Sequence, residues 1–407
     1  YQCLEMLLFR GCQKDKVVNE RLIAMLKRLR LFAMIIGLIF AMQISCVAAE
    51  SDDGHLFPVK KGNIAGFIDI KGDVIIPLQF AEVGEFSEGL AAAQDVESGK
   101  WGYIDRTGTF IISPQFRTAG FFSEGLAGVR FEGSDGWYIN HGGELIIQGF
   151  GGSIAQNGMA QVKKQGKTIF TDKNGKELFE VSGDAWPVGG GLVAFMKNGR
   201  MGFVDRQGIV IIQPIYHCDV NWRDQQFEEK ITPVSKLMPN GKDKFGFIDI
   251  TGKTVVDFQY DWAEQFFNGL AMVVKDGKYG YINPEGEIVI PLQFDGAEHF
   301  SEGLAAVEVN GRWGFIDTSG KLIIKPEYLP RIWGSPMIFC EGLAAVHTET
   351  GTGFINTKGE IVVPAVYSSA EDFSDGLALV GPLSKPYYIN KYGEVVWPKN
   401  NMTSKNE

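Results

Sequence analysis

"GKWGYIDRTGTFIISPQF" occupies residues 99–116. It sets a tryptophan beside a glycine, an aspartate three residues on, an Ile-Ile pair and then a proline. Read alone, it is either a site with Trp101 and Asp105 as working groups or a piece of scaffold. Recurrence decides between the two. The aromatic-Ile-Asp core returns as GFIDIKG (66–72), GYIDRTG (102–108), WYINHGG (137–143), IFTDKNG (169–175) and GFVDRQG (202–208). It continues as GFIDITG (246–252), GYINPEG (280–286), GFIDTSG (314–320), GFINTKG (353–359) and YYINKYG (387–393). These ten cores define copies 1–10. Seven of the nine steps between them span 32 to 36 residues, and the other two span 44 and 39. A fixed period of this size signals a repeat architecture.

Each copy reads as three short strands: the alternating core, a β-branched run closed by proline ("TFIISP"), and a third run such as "GLAAAQDV" (89–96) or "GLAAVEVN" (303–310). Glycine-bearing turns separate them, as in antiparallel meanders, and glycine or proline every few residues excludes long helices. The turn after the core keeps one rule in every copy, Asp or Asn and then Gly three residues on. Six copies use Asp and four use Asn, so the turn needs the side-chain oxygen and not the charge. That makes Asp105 a turn residue. The position of Trp101 and Trp313 is Phe245, Tyr279, Met201, Ala65 and Thr352 elsewhere; it asks for bulk. A second device, Phe-Ser-Glu-Gly-Leu (86–90, 122–126, 300–304, with Asp at 373–377), reads as another turn.

These residues resemble the WG-repeat (or KWG-repeat) family of bacterial proteins. The likeness rests on Lys100-Trp101-Gly102-Tyr103-Ile104-Asp105 and Arg312-Trp313-Gly314-Phe315-Ile316-Asp317, with the Phe-Ser-Glu-Gly-Leu-Ala segment. It spans residues 55–398 and is degraded before the glycine in copies 3, 4 and 10. It implies a repeated β structure, often a presumed interaction module, and brings no catalytic residues.

Outside the array, residues 1–24 are expected to lie upstream of a start at Met25. Residues 25–49 have the charge, apolar run and small-residue exit of a secretory signal peptide, with cleavage after Ala49; an uncleaved membrane anchor is the alternative. Residues 50–398 form the array and 399–407 a polar tail. Residues 1–49 carry seven Lys/Arg against three Asp/Glu, a net +4, so the −10 of the whole chain becomes −14 for the remainder. Such acidity argues against nucleic acid or an anionic membrane as partner. Two cysteines, Cys218 and Cys340, remain, enough for one bridge or two free thiols.

A lone three-stranded meander buries too little to fold, so neighbours must stack. The expected fold is all-β: about ten three-stranded meanders in an open, curved solenoid or superhelix, with end copies as caps. The alternative is a closed propeller-like ring, disfavoured because a propeller blade usually has four strands. Both long steps insert before the third strand, and each insert carries tryptophan near arginine. Trp186, Trp222, Arg223, Trp262, Arg331 and Trp333 therefore become candidate partner-binding residues along one edge. The expected function is a non-catalytic, secreted, periplasmic or cell-surface scaffold binding a protein, or alternatively a cell-envelope glycan, with no cofactor and no metal. A hydrolase using His217 and Cys218 is the remote alternative, since adjacent residues on an extended strand face opposite ways.

Overall fold

The computed structural model describes residues 54–133, 136–149, 158–217, 227, 230–330, 337–382 and 384–399. Every element among them is a β-strand, and all ladders are antiparallel, joining strands adjacent in sequence. The sheets are four-stranded where complete, and the seventh copy shows how. Trp262–Phe267 pairs with Leu270–Lys275, that with the core strand Lys278–Ile282, and that with Ile288–Phe294. Two points of the sequence reading are thereby corrected. The Gly-Leu-Ala strand belongs with the core that follows it, and a further strand precedes it. That first strand escaped notice because it is short and follows the proline-ended strand almost without interruption. One residue separates Phe116 from Thr118, Tyr260 from Trp262 and Phe294 from Gly296. Between copies 1 and 2 there is no break at all, since Val74–Ser87 is a single strand. It fuses those copies into one six-stranded sheet, so ten copies make nine sheets.

The array closes. The open superhelix is overturned by contacts between its extremities, and the molecule is a propeller ring of nine small sheets. Phe57, Val59 and Ile68 of copy 1 share a buried cluster with Leu377, Val396 and Trp397 of copy 10. The Tyr388 hydroxyl donates to the Pro58 carbonyl at 3.2 Å, and the rings of Phe57 and Tyr388 meet edge-on at 5.8 Å. No end copy is left needing a cap.

One glycine accounts for the Trp-Gly signature. In copy 2 Trp101 lies opposite Phe116 while Tyr103 lies opposite Ile112, so the last strand carries two extra residues, Ser113 and Pro114 among those that arch over Gly102. A Cβ at Gly102 would stand within 3 Å of the Ile112 carbonyl oxygen and the Pro114 nitrogen. Glycine is required there by close backbone approach. The same arch recurs over Gly66, Gly202, Gly246, Gly280, Gly314 and Gly353. The residue before each glycine lies opposite the aromatic residue that ends the arch, as Trp101 does Phe116 and Trp313 does Tyr328.

Copies hold one another by three repeated devices. The turn glycine presses on a branched side chain of the copy before: Gly108 on Ile76, Gly286 on Val256, Gly320 on Ile290, Gly359 on Ile324. A core tyrosine hydroxyl crosses to the next copy, Tyr103 to the Gly120 carbonyl at 2.8 Å and Tyr281 to the Glu298 carbonyl at 2.7 Å. The Phe-Ser-Glu-Gly-Leu segment is more than a turn. Glu88 Oε2 accepts from the Gly125 amide of the next copy, Glu124 from Gly158, Glu302 from Gly342 and Glu341 from Gly376. Ser87 Oγ and Ser301 Oγ donate to the next copy's Phe122 and Phe339 carbonyls, both at 2.6 Å. The recurrence of Ser-Glu or Ser-Asp in four of these segments carried that signal in the sequence.

Candidate interaction surface

The last strand of each sheet is its outer edge, and a bulge shapes what that edge displays. Ile104 lies opposite Phe110 and Tyr103 opposite Ile112, which leaves Ile111 unmatched and turned outward. The buried partner, Ile112, takes the next copy's turn glycine. Repetition makes a band. Ile75, Ile111, Val210, Ile211, Ile288, Val289, Leu322, Ile323, Ile361, Val362, Val366 and Val395 are all exposed, from 36% for Val362 to 68% for Val366. Exposed aliphatics so regularly placed are unusual on a surface that meets only water. Backbone pairing along the same edge is blunted. Pro77, Pro114, Pro214, Pro291, Pro326 and Pro364 interrupt six of these strands and remove their amide donors.

Two of the six residues singled out from the sequence, Trp186 and Trp262, lie among the described residues. Trp186 is buried at 6% exposure beside Met201, Phe203 and Tyr216. Trp262 is half-buried and packs its ring against Phe245 at 4.9 Å. The two belong to different clusters, and each lies on the first strand of its own sheet. Trp222, Arg223, Arg331 and Trp333 lie outside the described residues, as does Cys218. His217 Nδ1 stands 2.6 Å from Asp243 Oδ1, and its amide donates to the Ser235 carbonyl at 2.9 Å.

Buried tyrosines of the core strands and one carboxyl on a first strand titrate above their ordinary values. Burial raises the Glu264 carboxyl above its usual range. Burial also pushes up the Tyr281 hydroxyl, helped by the charges of Glu298 and Glu264. The Tyr138 and Tyr388 hydroxyls are pushed up to about 12, chiefly by burial. These tyrosines serve as buried donors at copy boundaries. Among the described residues no group of three or more His, Cys, Asp or Glu is arranged to hold a metal ion.

The family model described as "WG containing repeat" matches residues 66–95, 101–133, 245–279, 279–313, 313–328 and 353–381. The chain is built of WG repeats. Every matched core has the glycine arch; the core of copy 5 has it without being matched, and the cores of copies 3 and 4, which lack it, are not matched. Among solved structures, similarity extends to a eukaryotic initiation factor at 11% identity and TM-score 0.48, over 84% of this chain and 94% of that one. BamB from Moraxella catarrhalis is similar at 13% identity and TM-score 0.33, over 68% of this chain and 89% of that one. Kluyveromyces lactis Hsv2p follows at 11% and 0.32, over 57% and 89%. No curated protein matches the WG-repeat chain.

Proposed function

We propose that this WG-repeat ring is a non-catalytic, exported scaffold that binds another protein through the aliphatic band on its outer strands. The band carries the reading: exposed aliphatic side chains stand at the same two adjacent positions in consecutive copies 7, 8 and 9 (Ile288-Val289, Leu322-Ile323, Ile361-Val362), on an edge whose backbone is closed to pairing by proline. A glycan partner would call for spaced, exposed aromatic rings. The exposed large hydrophobics among the described residues are aliphatic, with Phe121 and Tyr392 as exceptions. Export rests on the leader-like residues 25–49.

The test compares the exported chain with a Val289→Lys/Ile323→Lys/Val362→Lys variant, capturing from an envelope extract with proteins and polysaccharides assayed separately. The reading expects a defined protein captured by the parent and lost by the variant, with unchanged circular dichroism. Equal capture by both, or capture of polysaccharide alone, refutes it. A Trp222→Ala/Trp333→Ala variant is the parallel arm for the insert tryptophans.

A further inference from the structure

We propose that the ring opens at one place, the boundary between copies 10 and 1, where residues 375–399 act as a latch. The chain itself crosses the other nine boundaries, at closest with one intervening residue or none. At the tenth, the link among the described residues is made by side-chain and backbone contacts. Some of the repeated devices are kept there. The Tyr388 bond to the Pro58 carbonyl repeats the bond from Tyr138 to the Gln161 carbonyl, because Pro58 and Gln161 occupy the same register position. Gly72 meets Val396, and Gly376 meets Ile70.

The clasp is altered. Ser374, which corresponds to Ser87 and Ser301, bonds Asp375 of its own turn at 3.2 Å and does not reach the next copy's carbonyl. Asp375, which corresponds to Glu88 and Glu302, stands 3.5 Å from His55 Nδ1. The remaining link, Lys399 to Asp73 at 2.5 Å, joins two well-exposed groups, and exposed pairs contribute little. In a repeat array stability is a sum of nearest-neighbour boundaries, so the one boundary that the chain does not cross opens first, as a unit. Opening bares the shared cluster of Phe57, Val59, Ile68, Leu377, Val396 and Trp397 on its two sides.

Hydrogen exchange followed by mass spectrometry on the full chain tests this. Peptides covering 55–70 and 377–399 should exchange together, at least about tenfold faster than those covering 304–317. Tyr388→Phe keeps the packing and removes the crossing bond; it should speed exchange in both flanks, including copy 1, which carries no substitution. Tyr103→Phe should act only at copies 2 and 3. Equal protection at 304–317 and at the latch overturns the proposal. So does a Tyr388→Phe effect confined to copy 10, which marks plain end fraying, or one spread evenly around the ring. If the variant does not fold, the parent's exchange pattern alone decides.

Discussion

Copies 2 and 4 share a turn, a period and a place in the ring, yet their last strands run differently. In copy 2 Gly102 lets the neighbouring backbone arch over it, and two extra residues enter the ladder. In copy 4 the same position is Ile169. Its last strand, Glu177–Ser182, then lies straight, with Thr168 opposite Val181, Ile169 opposite Glu180 and Phe170 opposite Phe179. Copy 3 repeats the lesson: Trp137 replaces the glycine, and Ile147 and Gln148 pair with Tyr138 and Trp137 without the arch. The arch-bearing strands mostly contain proline, and the straight ones do not. Copy 6 separates the two factors, since it keeps Gly246 and the arch while having Asp257 and Phe258 where others have proline. Glycine is thus the determinant and proline an accompaniment.

That contrast can be broken most sharply at Gly314. Gly314→Val should cost about 3 kcal/mol or more, because its Cβ would meet the Ile324 carbonyl and the Pro326 nitrogen at less than contact distance. The converse change, Ile169→Gly, should bring no arch and should itself cost about 1–2 kcal/mol in lost packing and backbone entropy. Urea midpoints at constant slope measure both. Next in size is the turn that presses on the preceding copy. Gly320 has φ of 82°, and a Cβ there would lie 3.1 Å from Ile290 Cγ2. Gly320→Ala should therefore cost about 1–2 kcal/mol, seen as a lower melting midpoint. Tyr103→Phe leaves the Gly120 carbonyl without its crossing donor and should cost about 1 kcal/mol.

The smallest expected effect separates the Asp turns from the Asn turns. Hydrogen bonds from Thr107 and Ser319 hold the Asp105 and Asp317 carboxyls below the ordinary value of 3.8. A carboxylate depressed on folding contributes stability that is present above its unfolded value and lost as pH falls through the folded one. Below pH 3.8 the amides of Thr107 and Ser319 should therefore lose exchange protection. Those of Lys358 and Tyr392, bonded to Asn356 Oδ1 and Asn390 Oδ1, should keep it. Equal loss in both sets would show that protonation of the Asp carboxyls is not its cause.

Much of this was legible in the residues. The ten cores, the all-β class and the turn role of Asp105 are read directly from recurrence. In the structure Asp105 Oδ1 accepts from the Thr107 and Thr109 amides at 2.9 and 3.1 Å. The first strand was hidden because Thr118–Ala119 or Gly296–Ala297 is too short to alternate. Missing it put the repeat out of phase, made each sheet three-stranded and left the ends in need of caps. Closure is a long-range matter: nothing in the spacing of Pro58 and Tyr388 announces that they touch. The band was missed for a different reason. Ile111 and Ile112 look alike in a sequence, and only the bulge in the ladder sends one outward and the other under a glycine.

Because Phe57 and Trp397 share one buried cluster, the order of the copies along the chain has no privileged starting point. A gene rearranged to begin at the hairpin of Asn310 and Gly311, with its old extremities joined by a short linker, would encode the same neighbours in the same succession. The body it specifies should be this one, rotated in its numbering and nothing else.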